Sequence, residues 1–170
     1  MLALPGSAYL YQGEELGLPE VIDLPNAARQ DPTWFRTHGE RYGRDGCRVP
    51  IPWTSAGASF GFNDSGESWL PQPAQWAVLA RDVEDTDPDS TLSLYKLLLA
   101  EREGRALGAG SLQWLDSFGD DVVAFRNGDV TVLANLGGAS VPLPEGEVIV
   151  SSVPLAGTQL PTDTTVWMLA

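Results

Sequence analysis

The sequence predicts an α+β fragment: a strand, a long loop and two helices, followed by a small antiparallel β-sandwich. Three observations lead there. Ser7-Ala8-Tyr9-Leu10-Tyr11 is a short apolar run between Pro5-Gly6 and Gly13, the pattern of a buried strand. Two stretches between Pro73 and Gly104 place apolar residues at helical spacing,. From about Ala106 to Ala170, short β-rich runs alternate with Gly and Pro turns, which suits a small sandwich.

The elements follow in order. After the first strand, Gln12-Gly13-Glu14-Glu15-Leu16-Gly17 reads as a polar turn ending in glycine. Residues 18–70 form a long stretch with only short helical candidates, one around Asn26 to Arg36. A loop of that length inside a compact domain is usually functional or poorly ordered. Pro73 suits a first helical position, with Trp76, Leu79, Ala80 and Val83 following at helical spacing,. Asp87-Pro88 reads as an N-cap and first-turn proline for a second helix,. Its apolar stripe, Leu94, Tyr95, Leu98 and Leu99, reads as core, and Gly104 as its stop,. Strands are expected at 112–115, 122–126, 130–134, 148–151 and 165–169. Asn127-Gly128-Asp129 gives a hairpin signal between the second and third of these,.

Composition narrows the function classes. With 43% hydrophobic and 19% charged residues, the chain is not of the disordered type. No apolar run approaches the roughly 20 residues that span a bilayer, so no membrane partner is expected. Met1-Leu2-Ala3-Leu4-Pro5-Gly6 lacks a basic leader region,, and the expectation is a cytoplasmic protein. A formal charge of −13 argues against a nucleic-acid partner, which would need a basic surface. Cys47 is the only cysteine and His38 the only histidine. An intrachain disulfide is therefore impossible, paired-thiolate metal sites are excluded, and no cofactor is expected. Cys47 is expected to be a buried or half-buried thiol.

Two acidic segments invite catalytic or metal readings. Set on the calcium-loop template, Asp85, Asp87 and Asp89 take the first three ligand positions. Ser90 then stands where glycine is needed and Lys96 where glutamate is needed,. The template fails, leaving a solvated loop and a helix cap. Glu14 and Glu15 are adjacent, whereas a glycosidase pair must face one sugar from about 5 Å or about 6.5–9.5 Å apart. Neighbours on an extended segment point to opposite faces, so bracing an arginine or a backbone amide suits them better.

The cations are more informative. Of nine Arg and one Lys, four (Arg36, Arg41, Arg44 and Arg48) fall within thirteen residues. In an acidic chain such a cluster needs carboxylates or ligand hydroxyls nearby. In Arg44-Asp45-Gly46-Cys47-Arg48-Val49-Pro50-Ile51-Pro52-Trp53, two guanidiniums bracket an aspartate and two prolines stiffen the exit toward Trp53. Arg offers a planar charged fork for carboxylates and sugar hydroxyls, and a Trp face suits the apolar face of a sugar. A salt-bridged loop packed on a scaffold is the alternative.

These segments, in this order, resemble the end of family 13 α-glucosidases and oligoglucosidases. Leu4 to Gly17 is similar to the family's eighth barrel strand and following turn. Arg44 to Trp53 resembles its R-D-x-x-R-x-P-x-x-W segment. The Gly46-Cys47 variant and Gln30-Asp31-Pro32-Thr33-Trp34 look closest to actinobacterial α-glucosidases. The resemblance spans essentially the whole chain. It implies that residues 1–105 are the C-terminal end of a catalytic (β/α)8 TIM barrel, with its eighth strand, long loop and last helices. Residues 106–170 would be a C-terminal β-sandwich domain.

The resemblance implies a function as well. Family members hydrolyse terminal α-linked glucose from short oligosaccharides, with retention through a glycosyl-enzyme intermediate. They use an Asp nucleophile, a Glu acid/base and a stabilising Asp on earlier barrel strands. No residue here matches any of the three, so no catalytic residue is assigned. The expected substrate-binding residues are Arg44, Asp45 and Arg48: the arginines as sugar or carboxylate contacts, Asp45 orienting one of them. The partner is an α-glucoside oligosaccharide, held only when the upstream barrel is present. One strand cannot close a barrel, so either more chain precedes Met1 or the product is truncated, and this chain is expected to be inactive alone. The rival reading is a carbohydrate-binding or structural β module, using aromatics such as Trp114 or Phe118, with an N-terminal linker.

Overall fold

The computed structural model describes residues 1–169. The hairpin expected around Gly128 joins β2 (Val122–Asn127) to β3 (Val130–Asn135), with Asn127 opposite Val130. Gly128 takes a φ of 61°, the positive value that mirror-image hairpin turns require. Five strands form one antiparallel sheet. Its order is β1 (Leu112–Trp114), β2, β3, β7 (Thr164–Leu169), β5 (Glu147–Ser151). A second, two-stranded sheet pairs β4 (Val141–Pro142) with β6 (Gln159–Leu160).

Alternation along the strands makes the core between these sheets. Val122, Ala124, Leu133, Val166 and Met168 from the larger sheet pack with Leu160 of the smaller one. The expected sandwich therefore forms, and β4 and β6 are short strands that the sequence pattern did not reveal. The larger sheet's other face is also buried through Phe125, Val130, Val132 and Trp167. Two buried asparagines pin the strand ends. The Asn127 amide donates to the carbonyls of Ala3 and Leu107, and that of Asn135 to Ala139, Leu160 and Pro161.

The chain divides into two compact units: Met1–Tyr9 with Lys96–Ala170, and Leu10–Tyr95. In the first, the Arg102 guanidinium donates to three carbonyls, those of Leu2, Leu4 and Gly6. The Gly6 N–H reaches the Gly108 carbonyl at 2.8 Å. The second unit has a core of its own, built from Leu24, Val49, Leu70 and Trp76. The long loop is therefore ordered by side chains brought from far apart in sequence.

Several sequence expectations are corrected. No strand forms at residues 7–11, and Tyr9 is 83% exposed. A lone strand has no ladder to satisfy its N–H and C=O groups, and the described residues offer it no neighbour. The helix expected after Pro73 is broken. A 3-10 segment, Ala74–Leu79, ends at an extended Ala80, and α2 (Arg81–Glu84) starts afresh. The break is fixed by the loop, whose Pro52 and Trp53 carbonyls accept the N–H groups of Arg81 and Asp82. The candidate helix around Asn26–Arg36 resolves into a 3-10 turn, Asn26–Ala28, and α1 (Pro32–Arg36).

The next helix, α3 (Thr91–Gly104), starts later than Asp87-Pro88 predicts. Ser90 caps it, its hydroxyl accepting the Ser93 N–H at 3.1 Å, while the Glu84 carboxylate accepts the Leu92 N–H at 2.9 Å. Two orphan donors of the first turn are thus satisfied by side chains. The stripe read as core is only partly covered: Leu94, Tyr95 and Leu98 are half-buried and Leu99 is exposed. Among the described residues, no helix is long and apolar enough to cross a membrane.

Candidate functional site

The arginine loop is built on a short 3-10 turn, Asp45–Cys47, with Arg44 and Arg48 as its flanking residues. Both arginines sit near φ −110°, ψ 10° (Arg44 at −115°, 14°; Arg48 at −108°, 4°), the bridge region where active-site residues are often found. The turn seats against the chain at Val21, whose N–H donates to the Gly46 carbonyl at 3.1 Å. That approach explains Gly46, because a Cβ there would lie 2.5 Å from the Val21 carbonyl oxygen.

Asp45 is the buried centre of this loop, fully shielded from solvent. One carboxylate oxygen accepts the N–H groups of Gln30 and Asp31, each at 2.9 Å. The other has no hydrogen-bond partner and lies 4.0 Å from an Arg48 guanidinium nitrogen. Asp31, also buried, carries on the chain of contacts. Its carboxylate accepts the N–H of Thr33 at 2.8 Å, capping α1, and the N–H of Arg44 at 3.0 Å. It also holds the Arg48 guanidinium at 3.2 Å. The N–H groups of Thr33 and Arg44, with smaller help from Arg48, hold the Asp31 carboxyl at a pKa of about 2. Hydrogen bonds to the charged form have that effect.

The structure therefore brings Arg44, Asp45 and Arg48 into one loop but gives them different parts. Asp45 anchors the loop through backbone amides and stands beside Arg48. Arg48 is half-exposed with one edge bound to Asp31. Arg44 is exposed and contributes its backbone N–H. Its guanidinium has no hydrogen-bond or ion-pair partner among the described residues. Of the four clustered arginines, Arg36, Arg41 and Arg44 have no carboxylate partner among the described residues, and only Arg48 is paired. Cys47 is exposed rather than buried, its thiol directed at the Arg44 carbonyl at 3.2 Å. In a turn this tight the small side chain at the crest is the one left facing solvent.

Asp31 is the residue that sequence reading missed. It stands seventeen positions from Arg48, and its only local mark is an aspartate before a proline, an N-cap signal. Arg29 was missed too. It is buried, donates to the Ile22 and Leu24 carbonyls, and lies over the rings of Trp34 and Tyr42, 5.4 and 4.0 Å from their centroids. Cation–π contact of this kind ties Arg29 to Trp34 of α1 and to Tyr42.

The two adjacent glutamates lie in a 3-10 turn, Glu14–Leu16. Glu15 turns back to accept the Gly13 N–H at 2.9 Å, which is the amide-bracing role expected of it. Trp53, at the far end of the loop, is 47% exposed. Among the described residues no cluster of three or more His, Cys, Asp or Glu is placed to hold a metal ion. An exposed, partly unpaired set of guanidiniums held rigid from beneath is suited to gripping hydroxyls or a carboxylate.

The chain is similar to known proteins. The chain is 36% identical over 120 residues to a probable alpha-glucosidase of Rhizobium meliloti, covering 70% of this chain and 21% of that protein. It is 30% identical over 152 residues to Maltase A1 of Drosophila melanogaster, covering 82% of this chain and 25% of the relative. Among solved structures, an alpha-glucosyl transfer enzyme, XgtA, superimposes with a TM-score of 0.79 at 34% identity. That match covers 99% of this chain and 34% of XgtA. The chain thus spans between a fifth and about a third of the length of these proteins. The alpha-amylase catalytic-domain family matches residues 1–110, and the chain belongs to that family, glycoside hydrolase family 13.

Proposed function

We propose that this chain is the C-terminal part of a retaining α-glucosidase that releases terminal α-linked glucose from short oligosaccharides. In this reading residues 1–105 complete a catalytic barrel and residues 106–170 are its accessory β domain. The observation that carries the reading is the Asp45–Asp31–Arg48 arrangement. Two buried aspartates, satisfied mainly by backbone N–H groups, hold one guanidinium by its edge. Arg44 and Arg48 then present their free N–H groups to a sugar at the mouth of the pocket, and Asp45 positions Arg48. The match of residues 1–110 to a catalytic domain weighs against the N-terminal part being a linker to a binding module. A cytoplasmic setting fits an unpaired, exposed thiol at Cys47,.

The chemistry of glycoside hydrolysis needs an acid and a nucleophile facing one sugar. Glu15 spends its carboxylate on its own turn, and Asp31 and Asp45 are buried under the loop. The chain by itself is therefore a binding and shaping element. Assay of the purified chain with p-nitrophenyl α-glucoside tests this, with no hydrolysis expected. Turnover that disappears in Glu14→Gln or Glu15→Gln would overturn it. In a polypeptide that also carries the preceding barrel, Arg48→Ala should raise KM for maltose about tenfold, the loss of one charge-assisted contact. An unchanged KM would remove Arg48 from the binding site.

A further inference from the structure

A second feature lies in the β domain. In β2, residues 122, 124 and 126 share the face that packs between the sheets, and Val122 and Ala124 fill core positions there. The next position on that face is Arg126, the only Lys or Arg in residues 106–170. Cross-strand pairing extends the row from Arg126 to Thr131 and on to Met168. Arg126 carries this face beyond the core, near the end of the strand, and is itself exposed. Arg126 makes no ion pair among the described residues, and its one side-chain bond is a long one to the Thr131 hydroxyl, 3.4 Å.

At this end the inter-sheet slot opens into a cavity of about 220 Å³. Leu115, Phe118 and Met168 supply apolar lining, and Arg126, Thr131 and Glu145 supply polar lining. The volume is below the range of about 300–1,000 Å³ usual for drug-sized ligands, which limits an occupant to a single small ring. The lining also selects its charge. An anion would meet the Glu145 carboxylate in the lining, and a cation would meet Arg126. A neutral polyol satisfies both a guanidinium donor and a carboxylate acceptor, while its C–H face lies on the apolar wall.

We propose that this cavity is a binding site for a neutral, monosaccharide-sized polyol such as one hexopyranose unit, separate from the arginine loop. The proposal does not depend on the barrel reading, because every lining residue lies in the β domain.

Titrating the ¹⁵N-labelled full chain with D-glucose tests it, with inorganic phosphate as the anionic comparison. Saturable amide shifts are expected at Phe118, Arg126, Thr131 and Met168, with none from phosphate there. Affinity should fall at least tenfold in Arg126→Ala and severalfold in Glu145→Gln. Both sites are solvent-accessible, and the unliganded spectrum of each variant reports directly whether it folds. Glucose shifts that do not saturate, that fall outside these residues, or that persist unchanged in both variants would overturn the proposal. So would phosphate occupying the cavity in place of glucose.

Discussion

The carboxylate of Asp45 accepts the backbone N–H of Asp31 at 2.9 Å, so one buried aspartate sets the position of the other. Asp31 in turn holds Arg44 by its N–H and Arg48 by its guanidinium. The shape of the arginine loop is therefore decided beneath the surface it presents.

Removing the lower aspartate should be costly. Asp45→Ala leaves two N–H groups, those of Gln30 and Asp31, without an acceptor. A buried unsatisfied group costs about 1–3 kcal/mol, and the loss expected in urea unfolding is about 2–4 kcal/mol. Asp45→Asn retains an acceptor oxygen and should lose less than half as much. Equal losses in the two variants would show that the carboxylate's acceptor role is not what holds the loop.

Gly46→Ala should destabilise by about 1–3 kcal/mol, the usual cost of overpacking. Its added methyl meets the Val21 carbonyl oxygen at 2.5 Å, and that oxygen cannot swing aside as a side chain would. Thermal unfolding measures it, and an unchanged midpoint would mean that residues 21 and 46 are not held together in solution.

Ser90→Ala removes the hydroxyl that caps α3 at the Ser93 N–H. A loss of about 1 kcal/mol is typical of such a cap. Asp87→Ala should cost less, because Asp87 lies before the helix and, among the described residues, its side chain accepts the Asp89 N–H rather than a donor of the helix. The ranking of the two variants by chemical denaturation separates the observed cap from the one that the Asp87-Pro88 pair suggests.

The pH dependence should have two opposed contributions. The Asp31 carboxyl is depressed from 3.8 to about 2 by the N–H groups of Thr33 and Arg44. The stability it supplies is present above about pH 4 and is lost as pH falls through about 2. Glu84 goes the other way: burial, aided by Asp87 and Glu15, raises its carboxyl above 4.5 against the pull of the Leu92 N–H. Its contribution is present below 4.5 and is lost as pH rises through the raised folded value. Unfolding free energies between roughly pH 2 and 8 should show a shallower acid limb in Asp31→Asn. Glu84→Gln should gain stability only on the neutral side. A gain confined to acid pH would reverse the assignment for Glu84.

Patterns of short range were legible in the sequence. The β-rich runs 122–126 and 130–134, flanking Asn127-Gly128-Asp129, specified a hairpin. The order of two motifs specified the family. These depend on backbone geometry within a few residues, which each residue's neighbours in sequence largely determine. Tertiary structure alone decided the rest. Ala80 is extended because the Pro52 and Trp53 carbonyls take the next two N–H groups. Arg48 is held by Asp31, seventeen residues away. Residues 7–11 have strand composition but no strand, since a ladder needs a partner that composition cannot supply. A hydrogen bond is made wherever donor and acceptor are brought together, and sequence distance does not enter its energy. For a contact between distant residues, the fold as a whole must therefore be known before either partner can be named.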